Sequence, residues 1–171
     1  SVMFGGFKPS GYSSTLISET WEEDGSRWIL VQPQTSPPAV SDHGMVFDSI
    51  RNVTILFGGG LSSGLSNQLW EYDGQTWINR TPITGSLPEV RSGMAMAYDP
   101  LLQRTVIFGG QSNTGQPLSD TWEWDGNSWT QKNPANSPPG LYAARMSFDE
   151  ARGRIFLYGG SGATTSSSVW E

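Results

Sequence analysis

The sequence predicts an all-β repeat protein in which short antiparallel strands form successive four-stranded sheets. Two observations carry that expectation. An apolar run closing on a glycine pair recurs at Gly5-Gly6, Gly58-Gly59, Gly109-Gly110 and Gly159-Gly160. A Trp-Glu pair recurs in the same phase, at Trp21-Glu22, Trp70-Glu71, Trp122-Glu123 and Trp170-Glu171. A period of about fifty residues signals a propeller or solenoid, in which each repeat buries its faces against its neighbours. Composition agrees: 21 glycines, 11 prolines and 8 tryptophans beside only 15% charged residues suit short strands and tight turns, and suit neither a helical nor a disordered chain.

The third repeat gives the element order. Strand A is expected over residues 92–98, where the small Ala95 and Ala97 suit a crowded position. Asp99-Pro100-Leu101-Leu102 turns the chain into strand B, residues 104–108. Strand B is apolar on consecutive residues (Val106, Ile107, Phe108), which marks a strand buried on both faces rather than one with a wet side. The glycine pair ends strand B where positive φ or close backbone approach excludes a Cβ. A polar loop, 111–119, leads to strand C over 120–124. Asp125-Gly126 reads as a two-residue hairpin turn into strand D, 127–131. That turn pairs residue 122 with 129, so Trp122 is expected to face Trp129 directly, as Trp70 faces Trp77 and Trp21 faces Trp28. Cross-strand aromatic pairs add roughly 0.5–1.5 kcal/mol beyond area burial.

Proline-rich connectors at 33–38, 82–88 and 134–139 pass from one sheet to the next, because proline cannot serve a central ladder. They divide the chain into a partial unit 1–33 (strands B, C, D), full units 34–83 and 84–134, and a partial unit 135–171 (strands A, B, C). The chain opens in mid-motif at Ser1-Val2-Met3, which leads us to expect a piece of something longer.

These residues resemble the kelch repeat family. Its marks are a hydrophobic run before Gly-Gly and two spaced aromatics, and they stand here as VMFGG, TILFGG, TVIFGG and IFLYGG, followed by segments such as TWEWDGNSWTQ. The repeats are most similar to those of long secreted bacterial kelch proteins. The resemblance implies a kelch-type β-propeller segment of four blades, the first and last incomplete, with strand A lining the axis and strand D at the rim. It also implies an extracellular or cell-surface bacterial setting. Since propellers have about 4–8 blades, the missing blades come from a longer chain, from a second copy closing the ring, or from copies joined end to end in a filament.

Chemistry is sparse. A net charge of −6 leaves no basic patch for nucleic acid, and no apolar run approaches a membrane span. Without cysteine and with one histidine, thiolate metal sites and the copper-radical chemistry of some kelch oxidases are excluded; no cofactor and no metal is expected. His43, beside Asp42, is a candidate ligand contact more readily than half of an acid–base pair, since adjacent residues of an extended segment point to opposite faces. Arg91 and Arg145, at the starts of A strands, are the other two candidates; Val40 and Leu141 occupy the Arg91 place in the neighbouring repeats. The repeated Asp-Gly is read as a turn and not as a calcium loop. The B–C loops (7–18, 61–66, 111–117, 161–168) are rich in Ser, Thr, Gly and Asn and vary in length, and variable loops on a fixed frame are where binding resides. The expectation is a non-catalytic module binding a protein or glycan. The alternatives are a self-assembling structural subunit and a kelch-type enzyme such as a sugar mutarotase.

Overall fold

In a computed structural model of the chain, residues 1–10, 13–163 and 165–171 are described. Gly11, Tyr12 and Thr164, which belong to two of the expected loops, lie outside the described residues. Four antiparallel sheets follow one another along the sequence. The first contains β1 (Val2–Phe4), then, after a hairpin of β2 (Phe7–Ser10) and β3 (Ser13–Leu16), β4 (Thr20–Glu23) and β5 (Trp28–Val31). The second contains β6 (Gly44–Asp48), β7 (Val53–Phe57) and, after the small hairpin β8 (Gly60–Leu61)–β9 (Gly64–Leu65), β10 (Leu69–Tyr72) and β11 (Trp77–Asn79). The third runs β12 (Ala95–Asp99), β13 (Arg104–Phe108), β14 (Thr121–Trp124), β15 (Trp129–Lys132); the fourth is β16 (Arg145–Asp149), β17 (Arg154–Tyr158), β18 (Val169–Trp170). Among the described residues there is no helix.

Each blade sheet keeps sequence order, so every strand in it pairs with the next strand of the same sheet, the β2–β3 and β8–β9 hairpins standing apart as insertions. The second strand of the full sheets is interior, and β7 accordingly buries Ile55, Leu56 and Phe57 in succession, as its unbroken apolarity demands. Strand A is shorter than expected. It begins at Ala95, and Ser92 meets Gln111 only in an isolated bridge.

The hairpin register corrects the sequence reading. Trp124, not Trp122, faces Trp129, and Trp122 faces Gln131. In the same way Tyr72 faces Trp77 and Glu23 faces Trp28. The reason lies in the aspartate. Asp125 Oδ1 accepts the N–H groups of Asn127 and Ser128 at 2.9 and 2.7 Å, while its own N–H reaches Ser128 O at 3.2 Å. Asp125 therefore flanks the turn, and Gly126, at φ +93°, is its first central residue. Moving the turn by one residue moves the pairing by two. The tryptophans still share one face of the sheet, since 122, 124 and the partner of 124 lie at even spacing.

That face packs on the preceding sheet. Phe4, Leu56, Trp70, Tyr72 and Trp77 form one buried cluster across the first two sheets. Ile55, Phe57, Ile107, Trp122, Trp124 and Trp129 form the next, across sheets two and three. Trp77 stacks on Tyr72 with centroids 5.0 Å apart, and Trp129 lies 5.6 Å from Trp124. The first indole of each motif donates its Nε1–H to the residue two places earlier: Trp21 to Glu19, Trp70 to Gln68 and Trp122 to Asp120, at 3.0, 3.0 and 2.6 Å. In the fourth repeat Ser168 holds that place, and the buried Trp170 Nε1 has no partner among the described residues.

Candidate binding face

Consecutive sheets are joined at one end, where strand B finishes and the proline connector arrives. The second glycine of the first three pairs donates its N–H to the next connector: Gly6 to Val40 O, Gly59 to Arg91 O and Gly110 to Leu141 O, each at 2.8 Å. At Gly59 glycine is required twice over. Gly59 sits at φ +99°, and a Cβ on it would lie 2.5 Å from Val40 Cγ2. One residue further on, the connector pairs back onto the B–C loop of its own sheet, Ser41 with Gly60, Ser92 with Gln111 and Tyr142 with Ser161.

A second course of hydrogen bonds runs from sheet to sheet. Gly93 N donates to Asp42 O and Ala143 N to Gly93 O, both at 2.7 Å. All three residues are left-handed, with φ of +53°, +62° and +56° for Asp42, Gly93 and Ala143. For a non-glycine residue that conformation costs about 1–2 kcal/mol, and the repeated bond offsets it. This end is thus a rim of fixed backbone. On it stand loops that differ in form: a four-residue-strand hairpin (β2–β3), a two-residue-strand hairpin (β8–β9), and isolated bridges at Gln111–Pro117 and Ser161–Thr165.

The structure places the three candidate residues in three different settings. Arg91 is wholly buried. Its two terminal nitrogens each donate to one oxygen of Asp120 at 2.7 Å, Nη1 also reaches Gly109 O at 2.9 Å, and Nε reaches Glu89 O at 3.1 Å. The guanidinium thereby fastens the connector to the start of β14 and to the glycine pair. Burial opposes ionisation of Asp120, but the Arg91 hydrogen bonds and charge outweigh it and hold the carboxyl below the usual range. Asp120 is the site residue that sequence reasoning missed, being 29 positions from its partner with no pattern linking the two.

His43 is half-buried between the first two sheets. Its ring meets Phe4 edge-on with centroids 6.2 Å apart, and Nδ1 is buried without a partner among the described residues. Burial lowers its pKa, against the weaker opposing effects of the Asp42 charge and the Phe4 backbone. A neutral imidazole pressed on a phenyl ring serves packing; the same place holds Met94 in the next repeat and Ala144 in the last. Arg145, in contrast, is exposed at the start of β16, and among the described residues its side chain donates only to Ala144 O, at 3.3 Å. Of the three, it is the one with a side chain exposed to solvent. No hydrogen bond or ion pair joins His43, Arg91 and Arg145 to one another among the described residues, and no cluster of metal-ligating side chains occurs there. Beside Leu141 lies a cavity of about 350 Å³, bordered by Gly140, Thr165, the three serines 166–168 and Trp170.

The glycine pairs, the sheet order and the stacked indoles are joined by a direct match. The KLHDC2/KLHL20/DRC7 Kelch-repeats domain aligns with residues 1–171. The chain belongs to the kelch-repeat family. Among solved structures, the kelch chain here is similar to one described as "Structure of YjhT", with a TM-score of 0.73 at 15% identity. The match covers 94% of this chain and 56% of that one, so the kelch repeats described here span just over half its length. No curated protein matches the sequence. The fold is accordingly an all-β, kelch-type propeller segment of four antiparallel blades.

Proposed function

We propose that this kelch segment is a non-catalytic recognition module, part of a larger propeller, that binds an extended protein segment across the rim and loops of its connector face. One observation carries the reading: the hydrogen-bonded frame repeats from blade to blade, while the B–C loops it supports differ in length and side chains. A constant frame with variable insertions is the arrangement expected of a binding surface. Kelch-repeat domains generally act as protein-binding scaffolds, which supports the same class of function. The similarity of the repeats to those of secreted bacterial kelch proteins favours an extracellular or cell-surface site of action.

A glycan ligand is the second reading, favoured by the cavity beside Leu141, where serine hydroxyls and the Trp170 indole offer polar groups and a stacking surface together. The two readings separate on one pair of screens, a displayed random-peptide library and a glycan array, both with the 171-residue chain. Selected peptides that lose binding when residues 7–16 are shortened to the length of the β8–β9 loop, with unchanged unfolding, support the protein reading. Glycan hits lost in Trp170→Ala support the second. Ligands indifferent to both changes contradict a connector-face site.

A further inference from the structure

A polar row crosses the third blade where it packs on the second, the two complete blades of the chain. Tyr98, Thr105 and Trp124 lie opposite one another on β12, β13 and β14, so their side chains share a face. That face looks toward blade two, since Trp124 packs in one cluster with Ile55, Phe57 and Leu69. Thr105 is 1% exposed and Trp124 2%, yet Thr105 Oγ1 and Trp124 Nε1 are buried with no hydrogen-bond partner among the described residues. The Tyr98 hydroxyl, at the axial end of the row, lies beside the Asp48 carboxylate; burial and that neighbour push the phenol up to about 12. Buried polar groups are nearly always paired, with protein or with an ordered water. The preceding seam closes the same place directly. Tyr72, in the repeat position of Trp124, donates its hydroxyl to Glu22 Oε1 at 2.8 Å.

Glu71 is the counterpart of Glu22, and it turns toward blade three because its neighbour Trp70 packs toward blade one. Arg51 Nη1 and Arg80 Nε, the latter at 3.2 Å, donate to its two oxygens. Arg51 in turn lies against the turn that follows Trp124, its Cζ 3.3 Å from where a Cβ on Gly126 would stand. An indole N–H ends nearer its own backbone than a phenol hydroxyl does, so Trp124 reaches less far across the seam than Tyr72. We propose that an ordered water bridges the two blades at this point, accepting the Trp124 Nε1–H and the Thr105 hydroxyl proton and donating to the Glu71 carboxylate. Each carboxylate oxygen keeps a lone pair beyond its arginine bond, and donors and an acceptor in one buried place are what an internal water needs. The charges select a neutral ligand: Glu71 opposes an anion, while Arg51 and the two donors oppose a cation.

The test uses the 171-residue chain with its indole nitrogens isotopically labelled for nuclear magnetic resonance. The Trp124 N–H, identified as the signal lost in Trp124→Phe, is expected to show cross-relaxation with a long-lived water. The Trp77 N–H donates directly to Thr20 Oγ1 at 3.0 Å and should show none, which makes it the internal control. Thr105→Val should abolish the water signal at Trp124 with an unchanged circular dichroism spectrum, and Thr105→Ser, which keeps the hydroxyl, should retain it. In a crystal structure the water oxygen should lie within about 3.2 Å of both Trp124 Nε1 and Thr105 Oγ1. A Trp124 N–H as free of water as that of Trp77, or one bonded directly to Glu71, overturns the proposal. A water signal that survives Thr105→Val overturns it as well, because the bridging partner would then be wrong.

Discussion

Arg91, with no exposed surface, presents both terminal nitrogens to the two oxygens of Asp120 at 2.7 Å. A planar fork meeting a carboxylate in this way is the strong form of a charge-assisted bond. The neighbouring repeats manage without it, with Val40 and Gln68 in one and Leu141 and Ser168 in the other. Breaking a buried pair from one side leaves a charge uncompensated, whereas replacing both members is often neutral.

The pair therefore predicts strong non-additivity. Arg91→Val alone should cost about 3–5 kcal/mol in denaturant unfolding. Arg91→Val with Asp120→Gln, which copies the second repeat, should recover most of that loss. Additive single-mutant costs would show that the two side chains act independently.

Two groups give the stability a pH dependence of known sign. Asp120 has a depressed pKa in the fold, so its contribution is complete above the unfolded carboxyl value of about 3.9 and fades as pH falls through the lower folded value. His43 also titrates lower in the fold than in the unfolded chain, where its pKa is about 6.5. Its neutral form is the one the fold accepts, so stability is full above about pH 6.5 and declines as pH falls below it. His43→Met, the choice made in the third repeat, should flatten that mild-acid decline. A decline that persists unchanged in the variant would assign it to other groups.

The glycine pairs predict a contrast between identical motifs. Gly109 sits at φ +63°, and a Cβ on it would lie 2.9 Å from Leu118 O and closer still to Leu141 O. Gly159 sits at φ +73°, but its nearest neighbour on that side is Ser166 O at 4.0 Å. Gly159→Ala should cost about 1–2 kcal/mol, the conformational part alone. Gly109→Ala adds overpacking against backbone and should cost on the order of 4 kcal/mol. Equal midpoints in urea for the two variants would contradict the role given to the contact between blades.

The same asymmetry holds for the indoles. Trp129 is 6% exposed and packs on Phe57, while Trp28 is 46% exposed. Trp129→Ala should destabilise by about 3–5 kcal/mol, and Trp28→Ala by less than about 1 kcal/mol. Differential scanning calorimetry of the two variants reads this directly; a Trp28 loss equal to that of Trp129 would mean that Trp28 is covered in solution.

Much of the fold was legible because the repeat fixes it several times over: glycine pairs, apolar B strands and Trp-Glu motifs recur in phase, and each occurrence supports the others. The hairpin register was not legible, because Asp-Gly serves equally as the centre of a turn or as its flank and centre. The choice fell to Asp125 accepting two backbone N–H groups. Arg91 was found as a residue but not as a role, since its place next to the axial strand suggested a ligand contact and its partner Asp120 lies in a distant strand. The β2–β3 and β8–β9 hairpins escaped as well, because Ser, Gly and Pro composition signals loop whether or not the loop pairs with itself. Arg145 is exposed at the start of β16, and the loops differ in form.

Amide hydrogen exchange at the second glycine of each pair tests the account most directly. Gly6, Gly59 and Gly110 donate to the next blade's connector, while Gly160 N makes no such bond among the described residues. Slow exchange at the first three with rapid exchange at Gly160 is the expected pattern. Rapid exchange at Gly59 and Gly110 would contradict blades locked together along this rim.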